Sequence, residues 1–238
     1  MIIIPSQTIS VISSNASTSP DANNPGYMFD DYLNTKTLNA DVIEVEIEFN
    51  NCDRVALFNL DAYSVDFVLT DDNTSAVVQT KSVDLSTVEG LYKQWIIEGL
   101  YIYPNATLKI SINKSGGDAA CGMCGIGLST RIGHTQFDFV PGISDYSIKD
   151  TNDFGQTYLN EGAWAKHNDL EVRVDIAIVD DVFDDLVDIR GSLVYVDGNE
   201  GSGIDFESLK LLGFIEDWNI ELYPPNYAKL TMSVQGIV

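Results

Sequence analysis

What this sequence lacks narrows it first. Only two histidines are present, His134 and His167, and neither sits in a nucleophile or zinc-binding signature. There is no G-x-S-x-G elbow, no P-loop, no H-E-x-x-H and no G-x-G-x-x-G following a strand. Two carboxylates alone can hydrolyse a glycosidic bond, yet with 36 acidic residues any chosen pair is arbitrary. The chain therefore reads as a non-enzyme. Basic residues are scarce: 13 Lys and Arg face 36 Asp and Glu, a formal charge of −23. Such a surface repels phosphate backbones and anionic lipid, which argues against direct nucleic-acid binding and membrane docking. No apolar run approaches the roughly 18 to 20 residues of a membrane span. The start, Met1 to Pro5, has no basic n-region and too short an apolar stretch for a signal peptide, so export is not expected. The three cysteines, Cys52, Cys121 and Cys124, are an odd number, which argues against a disulfide framework.

What is present supports a folded β protein. Hydrophobic residues make up 45% of the 238 and charged residues 21%, enough to bury a core in one large or two ordinary domains. Residues 5–27 are rich in Ser, Thr, Asn, Asp and Pro and read as an extended arm with one short strand, Thr8 to Ile12. From Val42 to Phe49, Ile43, Val45, Ile47 and Phe49 alternate with Glu44, Glu46 and Glu48. That is the period of a half-buried strand. Short strands follow at Arg54 to Leu60, Ser64 to Thr70, Ala76 to Val83, Tyr92 to Ile97 and Thr107 to Asn113. Polar turn clusters separate them. This spacing points to a β-sandwich or jelly roll, closed by a Gly-rich strand from Gly122 to Thr130.

Pro141-Gly142 is the predicted boundary. Beyond it lie longer strands: Thr157 to Lys166, Asp169 to Ile178, Ser192 to Val196, Leu209 to Asp217 and Ala228 to Gln235. One helix is predicted over about 179–190, where Val182, Phe183, Leu186 and Ile189 form an apolar stripe. Asp180 and Asp181 suit its start, and Gly191 suits a C-cap. The predicted architecture is thus an all-β, mainly antiparallel chain. It has an arm (1–27), a sandwich or jelly-roll-like domain (28–140) and a second β domain with one packed helix (141–238).

Candidate sites are few. Cys121-Gly122-Met123-Cys124 has the spacing of a zinc or redox pair. In a strand, however, positions three apart face opposite sides, and buried small hydrophobes are the plainer reading. Cys52 and His134 are the obvious further ligands for such a zinc. Asp71-Asp72-Asn73, Asp150 to Asp153 and Asp197 to Glu200 offer calcium-type oxygens without EF-hand spacing, and the same residues are ordinary turn formers. Aromatics could build a carbohydrate platform, with Trp95, Tyr101 and Tyr103 the region to examine first, although strand aromatics are more often core. Ile2, Ile3 and Ile4 could add a strand to a neighbour's sheet edge as an interaction arm, or pair within their own first domain. The acidity reads as solubility, with cation binding or a basic partner surface as the sharper alternative.

Several segments, taken in order, resemble a family of uncharacterised tail proteins of bacteriophages and prophages, mostly short-tailed. They include Tyr27-Met28-Phe29-Asp30-Asp31, Val55 to Ala62, Tyr103-Pro104-Asn105-Ala106 and Gly125 to Gly133. In the second half come Ile143 to Ser147, Asp153-Phe154-Gly155, Val172 to Val179, Asp217-Trp218-Asn219-Ile220 and Val234 to Val238. The resemblance brings no catalytic residues. It implies a non-catalytic virion component of the tail, made in the host cytoplasm, that adapts or attaches fibres or spikes. Its partners would be other tail proteins and its own copies in a symmetric ring or cluster. This chain departs from the family in its Cys-Gly-Met-Cys and its strong acidity, which leaves room for a local metal or charge function. The alternative is a carbohydrate-binding module for host surface glycans, because sandwiches of this kind often bind sugars.

Overall fold

The computed structural model describes residues 1–5, 7–15, 25–30, 35–86, 95–136, 140–199, 206–223 and 225–237. The chain is all-β and antiparallel, with one short α-helix. It divides into two compact units, Ile4–Ser129 and Met1–Ile3 with Thr130–Val238. The division falls earlier than Pro141-Gly142, and the chain's first residues are not an arm. In β1 (Ile2–Pro5), Ile2 and Ile3 ladder with Arg131 and Thr130, and the Met1 ammonium donates to the Gly133 carbonyl at 2.6 Å. Backbone pairing thus assigns Met1–Ile3 to the C-terminal unit.

The N-terminal unit is a sandwich. Its strands are β2 (Val11–Ser14), β3 (Thr37–Glu48), β4 (Arg54–Phe58), β5 (Ser64–Asp71), β6 (Ala76–Asp84), β7 (Trp95–Gly99), β8 (Ala106–Cys121) and β9 (Met123–Gly127). One sheet has five strands in the order β2-β3-β8-β5-β6, the other three in the order β7-β4-β9. The alternation read in β3 is realised: Ile43, Val45 and Ile47 are buried and the intervening glutamates face outward. Phe67 and Leu69 on β5 and Leu108, Ile110 and Ile112 on β8 join them. Val55 and Leu57 on β4 and Ile126 on β9 close the same core from the other sheet. Each such side chain contributes about 1.5–3 kcal/mol by leaving water. At one open side, edge strands β6 and β7 are tied together by polar bonds. Lys81 pairs with Glu98, and the Tyr101 N–H donates to Gln79 Oε1 at 2.8 Å.

The C-terminal unit contains β10 (Thr130–Arg131), β11 (His134–Thr135), β12 (Val140–Asp145), β13 (Ile148–Thr151), β14 (Thr157–Asn160), β15 (Trp164–Asp175), α1 (Val179–Asp188), β16 (Val194–Asp197), β17 (Lys210–Tyr223) and β18 (Tyr227–Gly236). Its main sheet runs β10-β1-β16-β17-β18-β15-β11, with β12 also on β15. Asp175 accepts from the Ala177 N–H at 3.0 Å, capping a short 3-10 turn that leads into α1. Val182 and Leu186 are buried in the core with Leu170, Val172, Leu230 and Met232, and Phe183 meets Trp218 edge-on at 5.1 Å. The helix ends earlier than predicted, with Ile189 as its C-cap, and Gly191 two residues beyond has φ +70°.

One predicted strand is broken. Thr157 to Lys166 becomes β14 and the start of β15, because Gly162 lies against the Tyr146 carbonyl and its N–H donates to Ser147 Oγ at 3.1 Å. Before the break β14 pairs with β13 in a separate two-stranded hairpin; after it β15 pairs with β12. No helix among the described residues is long and apolar enough to cross a membrane.

Candidate ligand-binding surface

The sequence-derived candidates meet different fates. Ile2, Ile3 and Ile4 are buried at 3%, 0% and 1% exposure, so an exposed interaction arm is not what these residues form. Their β-branched side chains are used up inside the chain, because β1 is an inner strand of the C-terminal sheet.

Cys121 and Cys124 lie on β8 and β9, fully enclosed, and all three cysteines are free thiols. Burial pushes the Cys121 thiol up to about 12, with only partial compensation from backbone hydrogen bonding at Met123 and Phe58 and from Lys36. Cys124 is also pushed well up, by burial and then by Cys121. Cys52 is raised to about 11, by burial and then by Asp53. A metal needs thiolates, and among the described residues no group of three potential ligands comes together. Burial has made these cysteines core residues.

The acidic loops use their oxygens locally. Asp71 accepts from the Asn73 N–H and the Thr74 hydroxyl, Asn152 Oδ1 from the N–H groups of Phe154 and Gln156, and Asp197 from the Asn199 N–H. These are side-chain-capped turns. The Glu200 of the third loop lies outside the described residues.

The aromatic region separates into three. Trp95 sits in β7 opposite Phe58, and its side chain lies outside the described residues. Tyr103 packs on the sandwich core. Tyr101 is 62% exposed and Ile102 beside it 58%. Tyr101 is nevertheless not on a loose loop. Its N–H is held by Gln79, and the preceding Leu100 N–H donates to the Asp53 carbonyl at 2.8 Å. Polar groups gather around this tip. Lys81 reaches Glu98 and the Gly99 carbonyl, while the Arg54 guanidinium lies against Gly99 and pairs with Asp53 at 3.4 Å. The outcome is an exposed phenol ring on a pinned backbone, with Gln79, Lys81 and Arg54 set against the adjoining backbone of residues 99–101 and Glu98 and Asp53 paired to the two cations. Alternation could not reveal this, because the ring lies just past the end of β7 where strand periodicity stops.

An open cleft of about 260 Å³ lies along β2, β3 and β8, lined by Ser13, Ser14, Asn15, Glu44, Glu46 and Lys109. It is below the roughly 300–1,000 Å³ typical of small-molecule pockets. Its groups already bond one another: Lys109 pairs with Glu44 at 2.8 Å and Ser13 donates to Glu46 at 2.9 Å. This is a polar sheet face rather than an enclosed reaction chamber.

No family profile and no curated protein matches the chain. Among solved structures, the F5/8 type C domain of a Bacteroides fragilis protein is similar at TM-score 0.42 and 9% identity, over 52% of this chain and 93% of that one. The lectin domain of lectinolysin complexed with Lewis B antigen gives 0.37 and 13%, over 52% and 94%. A chitosan-binding module from a Paenibacillus chitosanase/glucanase gives 0.38 and 10%, over 51% and 96%. These matches span about half of this chain.

Proposed function

We propose that this chain is a non-catalytic binding protein whose N-terminal sandwich recognises carbohydrate at the Tyr101 tip. The observation that carries the reading is the exposed Tyr101 ring on a backbone pinned by Gln79. Sugar rings present apolar C–H faces and a belt of hydroxyls. A fixed aromatic face takes the first, and charged and amide side chains take the second. Lys81, Glu98, Arg54 and Asp53 supply donors and acceptors within this patch. Pinning matters because a preordered ring loses less entropy on binding. The test is a screen of the intact chain against arrayed bacterial and animal surface glycans. Binding to a defined glycan class, reduced at least tenfold by Tyr101→Ala with the fold intact, supports the proposal. Absence of any glycan binding, or binding indifferent to Tyr101→Ala, overturns it.

A second reading, a structural component of a phage tail, follows from the sequence resemblance. One feature of the fold favours an assembly role. The hairpin of β13 and β14 is exposed along its whole length, and Phe154 at its tip is 91% exposed. Isolated hairpins are marginal in water, so such an element suits a protein that completes its packing on a neighbour. Copy counting by quantitative mass spectrometry of purified particles tests it. A fixed symmetric number supports the reading, and absence from clean particles removes it.

A further inference from the structure

We infer that the C-terminal sheet carries a second, separate binding site, which takes an amino sugar against the Tyr223 ring. Tyr223 and Tyr101 lie in different units, so this site stands or falls independently of the Tyr101 tip. Strands β15, β18 and β17 run side by side, and side chains from all three stack at one end. The Arg173 guanidinium lies over the Tyr227 ring at 4.7 Å, and Tyr227 stacks on Tyr223 at 5.4 Å and 18°. Tyr227 and Tyr223 are directly opposed across the β17–β18 ladder. A cross-strand aromatic pair alone is an ordinary clasp for a hairpin. Two features go beyond a clasp. The stack is open at its β17 end: β16 pairs with β17 only over Lys210–Gly213, so among the described residues no strand follows Tyr223, and its ring is 46% exposed. The Tyr223 hydroxyl also donates to Glu221 Oε2 at 2.8 Å, which fixes the ring a second way. A ring held like this loses little freedom on binding. The C–H face of a pyranose completes the stack on its open side.

Charge selects which pyranose. The two cations beside the stack are engaged, Arg173 on Tyr227 and Lys229 with Glu171 at 2.7 Å. Along β17, Glu221, Asn219 and Asp217 follow Tyr223 on the same side of the strand, and all are exposed. Residues two apart in a strand stand about 7 Å from one another, so a sugar on Tyr223 meets Glu221 first and the next units of a chain meet Asn219 and Asp217. A protonated amino group on that sugar gains a charge-assisted bond to a carboxylate and a cation–π contact with the ring. An N-acetyl group carries no charge and gains neither. A uronate is repelled by the same carboxylates and by the whole chain at −23. Ring and carboxylate together therefore favour a chain of amino sugars with free ammonium groups.

Calorimetric titration of the intact chain carrying Tyr101→Ala tests this, because that background removes the tip proposed above. The probes are the β-1,4-linked glucosamine tetramer, its N-acetylated counterpart and spermine. The glucosamine tetramer is expected to bind at least tenfold more tightly than the N-acetylated one, and less tightly as NaCl is raised. Adding Tyr223→Ala is expected to weaken it at least tenfold, while Tyr223→Phe, which keeps the ring and its stack, leaves most of the affinity. Glu221→Gln is expected to bring the two sugars to equal affinity. Spermine carries charge without a ring, so its attraction to this acidic chain should not respond to Tyr223→Ala. Where thermal melts show that Tyr223→Ala loosens the hairpin, the loss of preference in Glu221→Gln decides. No binding of the glucosamine tetramer overturns the inference. So does equal binding of the two sugars before Glu221 is changed, or binding indifferent to both Tyr223→Ala and Glu221→Gln.

Discussion

At the residue scale, burial explains both what the cysteines do and how they respond to pH. The Cys52, Cys121 and Cys124 thiols hold their protons above the ordinary value of 9.0 in the folded chain. As pH rises from about 9.0, the unfolded chain ionises first and is favoured, so stability is full below that value and falls toward about 12. Thermal melts across this window are expected to show a falling Tm. Thiol labelling at pH 8 should be slow in the native chain and complete only after denaturation. Rapid labelling of Cys121 or Cys124 in the native chain contradicts the enclosed site. Exposure sets a matching contrast for large side chains. Phe67→Ala, at a fully buried position, is expected to cost about 3–5 kcal/mol. Tyr101→Ala should change stability by no more than about 0.5 kcal/mol. Denaturant unfolding of the two variants checks both.

At the element scale, helix α1 is over-supplied with acid. Asp180 and Asp181 suit its N-terminus, but Asp184, Asp185 and Asp188 continue the run toward the end where the dipole favours cations. Burial first, then Asp181, Asp188 and Asp184, raise the Asp185 carboxyl above its usual range. The folded chain therefore binds that proton more tightly than the unfolded one, and stability is lost as pH climbs through the carboxylate range. Asp185→Asn is expected to raise Tm at neutral pH, measured calorimetrically, and a lowered Tm contradicts the account.

Most of these elements were legible in sequence where periodicity was strong. The alternation in β3 sits where its pattern places it; of the predicted stripe in α1, Val182 and Leu186 are buried and Ile189 packs on the core, while Phe183 is 48% exposed. What was hidden depends on partners distant in sequence. Nothing in Ile2-Ile3-Ile4 says that Thr130 and Arg131 will pair with them. Nor does the run from Thr157 to Lys166 show that Gly162 must give way to the Tyr146 carbonyl. The Tyr101 region was legible only as a candidate, since exposure depends on how β6 and β7 meet.

At the scale of the whole molecule, the chain joins two compact units, and Met1–Ile3 belongs to the one that is otherwise C-terminal. A fragment beginning at Thr130 loses β1 and leaves the inner edge of β16 unpaired. It is expected to be less stable than the unit within the intact chain, by differential melting. A molecule at −23 repels polyanions, so the proposed sugar ligand is expected to be one without negative charge. The sugar-binding account is tested most directly by backbone-amide NMR of the intact chain, titrated with galactose, fucose, N-acetylglucosamine and glucosamine. The account predicts that at least one sugar shifts a compact set of signals at Gln79, Lys81, Glu98 and Tyr101, and that Tyr101→Ala abolishes those shifts. No shift with any sugar, or shifts centred away from the Tyr101 tip, contradicts it.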